Sequence, residues 1–326
     1  MVAEHGPALV TGAAGFIGSA LVAELRGRGI PVTAVDRIPW EEAGRLHPVR
    51  QGEGFAYGRL DLDEAEAGGA LARLAQDSSV IYHLSANTEN RGDRAGRLSD
   101  LRTTVGGTVA LLEAVQDGRP TRVVLTSSQL VYAPDPTGSL ITEKTGTLRP
   151  VSRFAAGKVA AEAFLSSYAH ESGLRSTACR LSNIVGPGMR RGIIHDIVEG
   201  LERDPQVVRL LGDGRQTRSY LHVADCVRAL IQAAGLGETF AVANVCNVDA
   251  ISAGEVARII AEEFPDGTPD ILTADGEAGW RGDVPTLRVV PERLAAAGWQ
   301  PAMDSRTAVR ETARALFAEK RRTVLS

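Results

Sequence analysis

The chain predicts an α/β fold: a doubly wound parallel sheet flanked by helices, joined to a smaller mixed α/β domain that would hold the substrate. Three observations predict it. Short apolar runs alternate with helical stretches through the first half of the 326 residues. A cluster of glycines stands where the first apolar run passes into the first helical pattern. Near Gly186 the regular alternation gives way to helices, turns and short strands. The boundaries read this way are 1–182 for the first domain and 183–326 mainly for the second, with about 219–250 returning to the first.

Taken in order, Pro7-Ala8-Leu9-Val10-Thr11 suits a buried parallel strand. Gly12-Ala13-Ala14-Gly15-Phe16-Ile17-Gly18 follows at once, and a helical pattern then runs through Leu21, Val22 and Leu25 until Gly27 and Gly29 close it. Residues 31–35 form the second strand, with Asp36 at its end. This is a Rossmann-type βαβ unit for a dinucleotide. Glycines let the backbone turn sharply and approach a pyrophosphate, which rests on the positive end of the helix. Asp36 can accept hydrogen bonds from an adenosine ribose and would repel a 2′-phosphate, favouring NAD over NADP. Arg37 works against that preference, because a guanidinium can pair with such a phosphate. Strands follow at 80–84, 122–126 and 176–181, separated by helices at 105–115 and 155–169. Ser85-Ala86 and Ser127-Ser128 fall at carboxyl ends of strands, where such sheets bind ligands. His83 reads as a strand residue rather than a base.

In the second half, residues 193–201 are apolar at helical spacing, and 240–248 reads as a strand returning to the first sheet. Ser252 and Glu255 form a capping box for a helix running to about Phe264. A hydrophobic content of 44%, a charged content of 23% and a net charge of −4 describe an ordinary globular chain with no electrostatic reason to meet nucleic acid. Cys179, Cys226 and Cys246 match no metal pattern, so no metal is expected and the thiols read as buried and free. No targeting segment is visible and no apolar run approaches the ~20 residues of a membrane span, so the expectation is a soluble cytoplasmic protein with no membrane partner.

Together the motifs are specific. Thr11-Gly12-Ala13-Ala14-Gly15-Phe16-Ile17-Gly18, Asp61-Leu62, His83-Leu84-Ser85-Ala86, Val105-Gly106-Gly107-Thr108, Thr126-Ser127-Ser128 with Val131-Tyr132, Asn183-Ile184-Val185-Gly186-Pro187, Arg218-Ser219-Tyr220 and Arg281-Gly282-Asp283 run nearly end to end. The sequence resembles the extended short-chain dehydrogenase/reductases, specifically the nucleotide-sugar epimerases and dehydratases and most nearly UDP-glucose 4-epimerase-like proteins. The resemblance implies NAD held by Gly12, Gly15, Phe16, Ile17, Gly18, Asp36, Arg37, Asp61, Leu62, Leu84, Ser85, Ala86, Thr104 and Lys158. It implies a nucleotide-diphosphate sugar, UDP-linked, held by Thr88, Ser128, Asn183, Arg218 and Arg281, the arginines on the diphosphate. Asp225 and Asp283 read as loop-ordering residues, and His195 as a packing or surface residue as readily as one facing the sugar. The charged, glycine-rich segment 89–97 reads as a solvated loop near the substrate mouth. Relatives often dimerise through the helices that begin here near Val105 and Phe154, and the face Ala156, Ala160 and Ala163 permits a homodimer.

The family works through a Ser/Thr, a Tyr and a Lys. Ser128 and Lys158 match two of these, while Phe154 stands at the tyrosine position. Phenylalanine keeps the ring but exchanges no proton. Three readings stay open: an engineered Tyr→Phe change that traps substrate, a natural departure in which another group takes the proton, or a protein that binds without turnover. Thr104 replaces a common asparagine, and Ala133 a common glycine. Relatives that eliminate water carry Asp-Glu after the Ser128 position, and decarboxylases a Glu at the second of these; here stand Gln129 and Leu130. The resemblance therefore implies 4-epimerisation by elimination, through transient oxidation at C4 to a 4-keto sugar. A dehydratase or oxidoreductase using a different base is the alternative within catalysis.

Overall fold

The computed structural model describes residues 6–64, 67–88, 98–115, 122–134, 137–274 and 287–324. The chain divides into two units. The first comprises Met1–Tyr132, Leu148–Arg180 and Val227–Ala243; the second comprises Ala133–Thr147, Leu181–Cys226 and Asn244–Ser326.

The first unit is built on β1 (Ala8–Thr11), β2 (Val32–Asp36), β3 (Phe55–Arg59), β4 (Val80–His83) and β5 (Arg122–Ser128). With the strands Arg175–Leu181 and Phe240–Val245 they form one seven-stranded sheet. Its order is Phe240–Val245, Arg175–Leu181, β5, β4, β1, β2, β3. Pairing is parallel, with Ala8 opposite both Val32 and Val80, and Val80 opposite Arg122. Chain order reverses between β1 and β4, which opens a crevice at their carboxyl ends. Leu9, Val35, Ile81, Val123, Leu125 and Ala178 from the sheet pack with Leu111, Leu112, Val115 and Leu165 from the helices. The alternate strand residues Val10, Ala34, Tyr82 and Val124 are buried as well, so both faces of the sheet are covered.

The helix expected at 105–115 has a different start. An α-helix spans Gly107–Val115, and a π-helical turn, Asp100–Gly106, leads into it. In that wider turn Thr103 donates to the Asp63 carboxylate at 2.8 Å, and from the α-helix beyond it Thr108 donates to the Thr104 carbonyl at 2.6 Å. Such side-chain bonds compete with regular helix geometry. The helix Arg153–Ser172 is sharply bounded: Ser152 accepts from the Ala155 N–H at 3.3 Å, and Gly173 closes it at φ 74°. The returning strand ends at Val245 rather than 248 and joins the first sheet.

In the second unit short strands pair as Asn183–Val185 with Tyr220–His222, Thr217–Arg218 with Ile251–Ser252, and Val207–Arg209 with Asp270–Leu272. Ser252 accepts from the Glu255 N–H at 3.1 Å, the cap expected for the helix Ala253–Glu262. The helix Ser305–Val324 packs beside it, with Phe317 and Phe264 ring centroids 5.6 Å apart. Cys179, Cys226 and Cys246 are buried thiols outside any disulfide. Among the described residues no metal-ligand cluster occurs, and no helix is long and apolar enough to cross a membrane.

Candidate active site

The glycine turn between β1 and the helix Phe16–Gly27 is shaped for close approach. Gly12 sits at φ 66°, and a Cβ there would meet the Ser85 amide nitrogen at 2.8 Å. A Cβ on Gly18 would collide with the Gly12 carbonyl oxygen, so helix and turn can touch only at glycine. Gly15 is exposed and is the N-cap, so the first helical N–H groups, at Phe16 and Ile17, receive no side-chain cap from it. That is the cradle a cofactor diphosphate requires. Asp36, at the end of β2, accepts from the Ala14 N–H at 2.9 Å and so ties the turn to the strand. Arg37 is exposed, and its carbonyl accepts from Arg59 at 3.3 Å. Asp61 accepts from the Asp63 N–H at 3.1 Å, while Leu62 is buried under Gly107.

At the end of β4 the Leu84 N–H donates to the Thr11 carbonyl at 3.2 Å, and the Ser85 N–H to the Thr11 hydroxyl at 3.4 Å. Ser85 and Ala86 are half-buried and Thr88 is exposed. Thr104 is buried, and its hydroxyl accepts from the Asn87 N–H at 3.2 Å, fixing this segment over the π-turn. His83 is fully buried, with Nδ1 2.7 Å from the Thr11 hydroxyl and Nε2 3.1 Å from that of Thr108. Burial first, then the charge of Lys158, pushes His83 down to about 3. His83 lies in β4, as read from the sequence, and a neutral imidazole so held is a strut between strand and helix.

β5 and the helix Arg153–Ser172 supply the chemistry. Ser128 ends β5 and caps the short turn Gln129–Val131, its hydroxyl accepting from the Leu130 N–H at 3.2 Å. Lys158 is 3% exposed and donates to the Thr126 carbonyl at 2.6 Å. Burial pushes its ammonium down to about 8, against the opposing charge of Glu162. Nζ lies 6.0 Å from the centroid of the Phe154 ring, which is half-buried. Sequence reasoning missed Glu162 and Arg180, a buried pair at 2.6 Å. Their signals were a carboxylate one helical turn after Lys158 and a charge set between Ala178-Cys179 and Leu181 in a strand.

In the second unit Asn183 opens its strand, its N–H donating to the Ser219 carbonyl at 3.3 Å, next to Arg218. Arg218 is half-buried and donates to the Thr217 carbonyl at 2.8 Å. The Asp225 carboxylate accepts the N–H groups of Ala302 at 3.0 Å and Met303 at 3.3 Å, ordering that loop. His195 lies 3.6 Å from Asp196 and 3.7 Å from Glu199. Arg281, Asp283 and the segment 89–97 lie outside the described residues.

The first unit is thus a doubly wound domain with a glycine turn after β1, a serine at the end of β5 and a buried lysine held against that strand. Known proteins narrow that class. Residues 8–248 match the NAD dependent epimerase/dehydratase family, and the chain belongs to it. UDP-glucose 4-epimerase of Mycolicibacterium smegmatis is 34% identical over 232 residues, covering 70% of this chain and 72% of that protein. dTDP-glucose 4,6-dehydratase of Xanthomonas campestris is 32% identical, covering 71% and 69%. The solved structure of MoeE5 in complex with UDP-glucose and NAD is 31% identical, with a TM-score of 0.82 over 98% of this chain and 100% of that one. The protein is an enzyme of this family and its cofactor is NAD, which the Gly12–Gly18 cradle and Asp36 fit.

Proposed function

We propose that the protein belongs to the 4-epimerising branch of its family and acts on a UDP-hexose through a 4-keto sugar. The observation that carries this is the pairing of Ser128 and Lys158 at the carboxyl end of β5 with Gln129 and Leu130 just beyond. Elimination of water needs an acid and a base there, and neither side chain can serve. NAD, when bound, supplies the hydride acceptor and donor. Gly12, Gly15, Phe16, Ile17 and Gly18 receive its diphosphate, and Asp36, beside Arg37, its adenosine ribose. Asp61, Leu62, Leu84, Ser85, Ala86 and Thr104 line its path, and Lys158 holds its second ribose. Ser128 hydrogen-bonds the sugar oxygen at C4, Thr88 binds alongside, and Asn183, Arg218 and Arg281 bind the nucleotide diphosphate.

Phe154 gives specific support to a second reading, a protein that binds NAD and a nucleotide sugar without turnover, since the ring beside Lys158 has no proton to exchange. A homodimer in the cytoplasm completes the proposal; exposed Ala156, Ala163 and Phe164 on the helix Arg153–Ser172 support the dimer. The test is an NMR time course of the protein and its Phe154→Tyr variant with UDP-glucose, UDP-N-acetylglucosamine and UDP-glucuronate. A C4 epimer pair reaching equilibrium supports epimerisation. Binding without turnover by both proteins overturns it in favour of the second reading.

A further inference from the structure

The helix Arg153–Ser172 carries a second buried charge that the proposed reaction leaves unused. Glu162 stands one turn beyond Lys158, on the same helix face. It is 6% exposed and Arg180 5%, and the guanidinium meets its carboxylate at 2.6, 3.0 and 3.2 Å. The Ser127 hydroxyl donates to the same carboxylate. Arg180 in turn lies 4.8 Å over the Tyr132 ring. Lys158 grips Thr126 at 2.6 Å, so lysine and glutamate hold consecutive residues of β5, immediately before Ser128.

We infer that Glu162 is a positioning residue of the active site: it fixes the end of β5 through Ser127, and it provides Lys158 with a counter-charge whose strength Arg180 sets. Among the described residues, the surroundings of Lys158 leave this role to Glu162. From β4 comes His83, neutral and buried; from β5 the uncharged Thr126 carbonyl; from the helix itself the Phe154 ring. Asp100 on the π-turn faces Arg153 at 3.9 Å. Glu162 opposes the burial that drives Lys158 downward, and Arg180 takes up part of that negative charge. The inference rests on the reading of Lys158 as an active-site residue.

The chain has three lysines, Lys144, Lys158 and Lys320. Lysine labelled with 13C at Cε in the whole protein therefore gives three signals, with Lys158 assigned by its loss in Lys158→Arg. Titrated without ligand, Glu162→Gln is expected to lower the Lys158 midpoint by about 1 pH unit. Arg180→Gln, which releases the full charge of Glu162, is expected to raise it by a similar amount. A purely structural pair would not give opposite signs, so unchanged midpoints or shifts in one direction overturn the inference. If Glu162→Gln does not fold, the double variant Glu162→Gln/Arg180→Met removes both buried charges together. Its midpoint is also expected to fall, and no fall overturns the inference. NAD affinity over the same pH range separates the two readings. Midpoints that move as expected while affinity does not follow sustain the inference and remove Lys158 from the cofactor site.

Discussion

Placing a tyrosine at position 154 should switch on proton transfer at a pH set by Lys158. Nζ of that lysine lies 6.0 Å from the centre of the ring at 154. For a phenolate oxygen at about 6 Å from Nζ and an effective dielectric of about 20, an ammonium favours the phenolate by roughly 2.8 kcal/mol. That corresponds to about 2 pH units and would bring a phenol from ~10 to ~8. The Phe154→Tyr variant should then interconvert its UDP-sugar pair roughly 10²–10⁴-fold faster than the parent, the range for general acid–base help. Its rate should rise between about pH 7 and 9, as the phenol ionises, and then level off. NMR time courses across that range measure the rate, and phenolate ultraviolet absorbance follows the ionisation. Equal rates in the two proteins would refute the reasoning, because another group would already be taking the proton. A faster variant with no inflection in that window would refute the part assigned to Lys158.

Three further outcomes follow from the same geometry. Asp36→Asn keeps an acceptor for the Ala14 N–H but removes the charge that repels a 2′-phosphate; NADH affinity should fall about tenfold while NADPH gains relative to it, and an unchanged ratio in fluorescence titrations counts against the placement of Asp36. Burial lowers Lys158 from its ordinary 10.5 to about 8, a penalty of roughly 3 kcal/mol against the folded state below pH 8. The unfolded chain binds the extra proton between pH 8 and 10.5, so stability rises with pH across that window. Lys158→Met should therefore raise the Tm at pH 7 while abolishing tight NAD binding, and its advantage should shrink toward pH 10.5, as read by calorimetry. His83 is held at about 3, below its ordinary 6.5, so its contribution is complete above pH 6.5 and drains away as pH falls toward 3. His83→Gln should flatten that acid limb of the stability curve, measured by urea denaturation at a series of pH values.

Sequence alone determined the features written in short-range pattern. Strand and helix periods, the glycines at 12, 15 and 18, Asp36 at the end of β2 and the Ser252–Glu255 cap are each decided within a few residues by backbone sterics or local hydrogen bonding. That is why the doubly wound sheet and the cofactor cradle were legible without coordinates. The tertiary structure decided what depends on burial and on distant partners. His83 becomes a neutral strut only because Thr11, 72 residues away, and Thr108, 25 residues away, meet its two nitrogens in a dry interior. The π-turn at Asp100–Gly106 carries Thr103, whose hydroxyl finds Asp63 40 residues away, which no helical period reveals. Glu162 and Arg180 look like ordinary charges of a helix and a strand until folding removes water from both and leaves each the other's partner. The charge state of Lys158 is set by that same exclusion of water, because a low-dielectric interior changes proton affinities in ways that residue order does not encode.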